Sequence, residues 1–69
     1  MSASDLVLTL HAAHGELTLN RPAKKNALSL SMWDAIPSAL AEAAADPLMR
    51  ALIVRGAGGV FSAGADIAE

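Results

Sequence analysis

An apolar run, Ala51-Leu52-Ile53-Val54, leads straight into Arg55-Gly56-Ala57-Gly58-Gly59-Val60-Phe61-Ser62-Ala63-Gly64-Ala65-Asp66. This junction restricts the possible folds more than any other stretch. The run has no alternation, which is how a strand covered on both faces reads. The segment behind it is too rich in glycine and small side chains to build a core. Gly56, Gly58 and Gly59 open φ values closed to other residues and let backbone come close to whatever lies above. Ser62-Ala63-Gly64-Ala65 carries no bulky side chain, so its amides are free to face a ligand. Amides at a turn just ahead of a helix bind anions or stabilise a developing oxyanion. A tight connection with no ligand is the plainer reading of the same residues. Neither the dinucleotide fingerprint nor the phosphate-binding P-loop has this spacing, and no lysine closes the turn, so both nucleotide readings are set aside. Asp66-Ile67-Ala68-Glu69 fits an acidic capping box, with Asp66 capping a new helix and Glu69 reaching back. That is preferred over a proton-transfer role for Asp66.

The chain ahead of the junction supplies a frame for it. Leu6, Leu8 and Leu10 alternate with Val7, Thr9 and His11, and Leu17 and Leu19 flank Thr18 in a second alternating stretch. The short Ala12–Gly15 link, with Gly15 free to take a positive φ, joins them as a hairpin. His11 and His14 fall in that strand and turn. They read as surface or turn histidines, because the sequence sets no third ligand beside them, and no metal site is assigned. Arg21-Pro22 ends the second strand, since proline cannot donate to a ladder. A basic loop follows, and Ser29 stands in the N-cap position of an alanine-rich helix. Leu30, Trp33, Ile36/Pro37 and Leu40, continued by Ala43 and Ala44, give its apolar stripe. Pro37 removes one hydrogen bond in mid-helix and predicts a kink or a helix in two pieces. Asp46-Pro47 closes the segment. Strand, strand, helix, strand gives an α/β chain in which the third strand joins an antiparallel pair after a helical crossover.

Composition fixes the setting. At 69 residues the chain is one small domain at most, with no internal boundary. It is 54% hydrophobic and 17% charged, more apolar than a free-standing small domain normally presents. The expectation is therefore the N-terminal part of a larger domain, or a small protein that hides apolar surface in an oligomer. A formal net charge of −2 argues against nucleic acid as a partner. No apolar run is long enough to span a membrane. The sequence has no cysteine and no signal-like or transit-like start, which together point to the cytoplasm.

Two stretches also resemble a known family. Leu19-Asn20-Arg21-Pro22-Ala23-Lys24-Lys25-Asn26-Ala27-Leu28-Ser29 is similar to the opening signature of the crotonase superfamily, the enoyl-CoA hydratase/isomerase proteins. Val54-Arg55-Gly56 with Phe61-Ser62-Ala63-Gly64-Ala65-Asp66-Ile67 is similar to its second signature. The resemblance implies the first repeat of a β-β-α spiral: a two-strand hairpin, a helix, a buried strand and the start of the next helix. It implies an enzyme that binds acyl-CoA thioesters and holds a thioester enolate with two backbone amides. By motif position Ala65 gives the first of those amides. Ala63, Asp66 and Ile67 match the backbone that lies along the adenine and pantetheine of coenzyme A. Lys24, Lys25 and Ala27 match the loop at its nucleotide end, although two solvated loop lysines is the competing reading.

Coenzyme A enters as part of the substrate, with no tightly bound cofactor. The intact enzyme is expected to be a trimer or a pair of trimers. Hydration of 2-enoyl-CoA thioesters is the expected reaction, and isomerase, hydrolase, decarboxylase and dehalogenase chemistry use the same half-site. The second oxyanion donor and the catalytic acids fall outside residues 1–69, so the isolated chain is expected to be inactive. If 69 residues were the whole protein, a noncatalytic binding or assembly role would stand instead.

Overall fold

The computed structural model describes residues 5–67. Strand β1 (Leu6–Leu10) and strand β2 (His14–Leu19) form the hairpin, helix α1 covers Leu30–Ala44, and strand β3 covers Ala51–Gly56. β2 is the centre of a three-stranded sheet, antiparallel to β1 and parallel to β3. The expected β-β-α order with a crossover to a third strand is present. The helix expected after Asp66, and with it Glu69, lies outside the described residues.

Period-two alternation sets the two faces of this sheet. Leu10 pairs Gly15, Leu8 pairs Leu17 and Leu6 pairs Leu19, which puts the leucines of both strands on one face. Leu52, Val54 and Gly56 of β3 pair Gly15, Leu17 and Leu19 and share that face. The hairpin closes over His11–Ala13, with the His11 N–H donating to the His14 carbonyl at 2.8 Å. Gly15 therefore sits inside β2 and not in the turn. A Cβ there would stand 3.1 Å from Leu52 Cδ1 and 3.4 Å from Leu10 Cδ2, so glycine serves close side-chain packing at this point.

Ser29 caps α1 as the sequence predicts: its Oγ accepts from the Met32 N–H at 3.2 Å. The helix then runs unbroken through Pro37 and is not in two pieces. Its covered face keeps only part of the expected stripe. Met32 and Ala43 are buried and Ile36 and Ala39 are partly covered, while Leu30, Trp33 and Leu40 lie exposed. The apolar face of an alanine-rich helix is broad, and periodicity alone does not say which of its residues become covered.

β3 departs from expectation in burial. Ala51, Ile53, Val54 and Arg55 are exposed, because β3 is the edge strand and only the central strand has neighbours on both sides among the described residues. The enclosed apolar residues are Leu17, Leu19, Met32 and Ala43. Between the leucine face and α1 an apolar cleft of about 470 Å³ stays open, lined by Leu17, Leu19, Ile36, Leu40, Val54 and Phe61.

Candidate functional site

At the carboxyl ends of β2 and β3 two loops run side by side: residues 21–28, and the glycine turn, residues 57–66. Asn26 joins them. It is fully buried, with φ +57°, and its side chain uses both ends. Oδ1 accepts from the Arg21 N–H at 2.8 Å, and Nδ2 donates to the carbonyls of Ala57 at 2.8 Å and Val60 at 2.6 Å. Its own carbonyl accepts from the Ser62 hydroxyl at 2.8 Å. Few side chains combine a tolerated left-handed backbone with a donor and an acceptor in so short a reach. No buried side-chain polar atom is left unpaired among the described residues.

The remaining contacts continue this seam. Lys25 also adopts a left-handed conformation (φ +52°), a cost of about 1–2 kcal/mol for a residue with a Cβ. In that conformation its carbonyl accepts from the Ala63 N–H at 2.9 Å. The Leu28 N–H donates to Gly64 O at 2.8 Å, and the Asp66 N–H donates to Leu28 O at 3.0 Å. Arg21 stands behind the seam. One guanidinium nitrogen reaches Ala27 O at 2.9 Å and Asp66 Oδ2 at 3.2 Å, an ion pair mostly shielded from solvent. The Asp66 carboxylate thus faces Arg21, a role its place in an apparent capping box does not suggest.

Ala65 is the point of interest. Leu28 and Ala65 form a parallel bridge made by the groups of Gly64 and Asp66 on either side of Ala65. In a parallel ladder that pattern turns the central residue's own N–H and C=O to the opposite side. Among the described residues the exposed Ala65 N–H has no partner. Gly64 makes the turn into it: its φ of +101° is open to glycine, and its N–H is held by Ser62 Oγ at 3.0 Å. Gly56 is required for a different reason. A Cβ there would collide with the carbonyl oxygens of Val60 and Phe61, so the turn closes onto bare backbone.

The structure thus brings Lys25 and Ala27 against the segment holding Ala63, Ala65 and Asp66, with Lys24 and Lys25 exposed at the rim and Ile67 almost wholly exposed. The N–H groups of Ala63 and Asp66 are used within the protein, donating to Lys25 O and Leu28 O. Two functional positions were not assigned from sequence, Asn26 and Arg21. The signal was present in an asparagine following two lysines at a loop apex, where left-handed backbone is needed. Away from this site, Glu16 supplies the third group that the sequence did not set beside His11 and His14.

Known proteins resemble this chain in sequence and in fold. A family model described as enoyl-CoA hydratase/isomerase matches residues 14–69. A probable enoyl-CoA hydratase of Mycobacterium leprae is 46% identical over 55 residues, covering 80% of this chain and 21% of that protein. The mitochondrial enoyl-CoA hydratase domain-containing protein 3 of Danio rerio is 36% identical over 72 residues, covering 100% of this chain and 25% of its own length. Among solved structures, an enoyl-CoA hydratase/isomerase from Xanthobacter autotrophicus Py2 aligns with a TM-score of 0.88 at 40% identity, over 94% of this chain and 24% of that one. An enoyl-CoA hydratase from Mycobacterium tuberculosis H37Rv aligns with a TM-score of 0.84 at 41% identity, over 93% and 28%. The chain spans about a quarter of the length of these relatives. Its fold is one crotonase-like β-β-α repeat, left open.

Proposed function

Because the chain belongs to the enoyl-CoA hydratase/isomerase family, we propose that it is the N-terminal, acyl-CoA-binding part of an enzyme that adds water to 2-enoyl-CoA thioesters. The observation that carries this reading is the outward, unpartnered N–H of Ala65, fixed by the Leu28 bridge. In hydration, a base elsewhere in the intact protein takes a proton from water, the water oxygen bonds to C3 of the enoyl group, and the C2–C3 π electrons move toward the thioester carbonyl. The carbonyl oxygen gains negative charge as an enolate, and a proton then returns to C2. An N–H aimed at that oxygen before reaction begins stabilises the charged state more than the neutral substrate, which is what lowers the barrier. The seam to Asn26 and Lys25 supplies the rigidity that aim requires.

The same seam suits coenzyme A. Adenine carries an amino donor, and the Ala63 carbonyl is an acceptor in the turn, with the Asp66 backbone next along the same segment. Ile67 continues that backbone toward the pantetheine. Lys24 and Lys25, at the rim beside Ala27, offer positive charge to the nucleotide phosphates. The second oxyanion donor and the acid–base groups belong to other parts of the intact protein. For that protein we propose a cytoplasmic location and assembly as a trimer or pair of trimers, checked by cell fractionation and by light scattering. Among the described residues no helix is long and apolar enough to cross a membrane.

Ala65→Pro in the full-length protein tests the oxyanion role, since it removes the donor and little else from the side-chain inventory. The expected loss is about 10²–10³-fold in kcat on a short 2-enoyl-CoA thioester, about 3–4 kcal/mol. Asp66→Asn keeps the backbone and weakens the pairing with Arg21. It should lower stability by about 1.5–3 kcal/mol with a much smaller change in kcat. A folded Ala65→Pro enzyme with near-normal kcat, beside a folded Asp66→Asn enzyme with almost none, would make Asp66 the reacting group and sink the assignment.

A further inference from the structure

The opposite end of the sheet carries a second cluster, about 17 Å along β2 from the loops just described. His14 opens β2 and Glu16 follows two residues later, so both project from the face that carries no leucines. His11, at the hairpin turn, folds over them: its ring stacks on that of His14 with centroids 4.6 Å apart. The Glu16 Oε2 atom stands 3.5 Å from His11 Nε2 and 3.7 Å from His14 Nε2. One ligand atom from each of the three residues lies within 4.8 Å of the others.

We propose that His11, His14 and Glu16 form a surface site for one divalent late first-row transition ion of the zinc class. The geometry is near what such an ion demands. Metal–nitrogen and metal–oxygen bonds of 2.0–2.2 Å at tetrahedral angles separate neighbouring ligand atoms by about 3.3–3.5 Å. The two imidazole–carboxylate distances already approach that edge. The remaining separation closes by rotation of side chains that are partly exposed and, among the described residues, are held by one further contact. That contact helps: Arg55, projecting from β3, faces the other carboxylate oxygen of Glu16, with NH1 4.0 Å from Oε1. It holds Oε1 away and presents Oε2 as a single donor, the orienting role that groups behind a metal ligand commonly play.

Two imidazoles and one carboxylate choose the ion. Nitrogen donors favour zinc, nickel or copper over magnesium or calcium, which seek oxygen. Three protein donors leave a fourth position for water. Bound there, the ion clips the turn between β1 and β2, because His11 lies before the bend and His14 and Glu16 after it. The clip is separate from the Ala65 site and does not rest on the proposed reaction.

Isothermal titration of Zn²⁺ into the full-length protein tests this, repeated with His11→Gln, His14→Ala, Glu16→Gln and the double variant His11→Ala/His14→Ala. Wild type is expected to take up one equivalent at this site, with ring nitrogen shifts of His11 and His14 in NMR spectra and a Zn²⁺-dependent rise in Tm. Each single variant should bind at least about tenfold more weakly, since even the groups behind a ligand are worth 10–100-fold. Undiminished zinc affinity in the folded double variant overturns the site. Where circular dichroism shows a variant unfolded, the wild-type spectra decide. Saturating Zn²⁺ that leaves both His11 and His14 ring signals unmoved overturns it equally.

Discussion

The loop seam and the helix-covered face are built from the same short chain and are held in opposite ways. In the seam, Asn26 is fully buried and every polar atom of its side chain is paired. Its neighbours along residues 62–66 are tied by backbone bonds of 2.8–3.0 Å to residues 25–28. Across α1 and the leucine face, by contrast, few apolar side chains are enclosed and a 470 Å³ cleft stays open. Hydrogen bonds are short-ranged and directional, so two loops in register satisfy one another within a single repeat. Hydrophobic burial has no direction and grows with the area covered, so one helix on three strands leaves much of its apolar surface in water. The part that positions Ala65 is complete within this repeat. The part that would stabilise the repeat as a body is not.

Removing the hub should therefore have the largest effect. Asn26→Ala strands the Arg21 N–H and the carbonyls of Ala57 and Val60 in a part-buried seam. Each of the three orphaned groups costs about 1–3 kcal/mol when buried and sits toward the low end at this part-buried seam, so a loss of about 3–5 kcal/mol is expected in urea denaturation of the full-length protein. A cost below about 1 kcal/mol would mean that water replaces the side chain, and the contrast between the two regions would fail. Gly56→Ala should come next, at about 2–3 kcal/mol, because its Cβ drives against backbone oxygens that have no rotamer to yield. Thermal unfolding checks it, and a neutral substitution would show that the turn is more pliant than its bonding implies. Trp33→Ser on the exposed stripe of α1 should change stability by no more than about 0.5 kcal/mol in the 69-residue chain. Trp33 is 50% exposed there and its fluorescence should be solvent-like. A blue-shifted emission or a large loss would show self-association through this face.

The pattern of strands, the capped start of α1 and the place of the glycine turn were legible in the sequence. Alternation, the Ser29 cap and the Gly64 turn are local properties, fixed by steric rules within a few residues. The two loop segments were also recognisable, each in its own stretch. Ile36 and Ala43 of the expected stripe are covered, but that Met32 is enclosed while Leu30 and Trp33 stay exposed was not legible, since the apolar face of α1 is broad and only the sheet chooses within it. The exposure of β3 was likewise a matter of strand order, which places it at the edge and β2 in the middle. The helix that Asp66 would cap lies outside the described residues, and no local pattern shows that its carboxylate meets Arg21, 45 residues away in the chain. Glu16 joined the two histidines through the pleat and the fold of the turn. The sequence by itself determined which short segments bend, extend or coil, because those preferences are settled by each residue and its neighbours. Only the tertiary structure decided that Asn26 bridges two loops and that the Ala65 N–H faces outward, because both follow from the register of strands far apart in the chain.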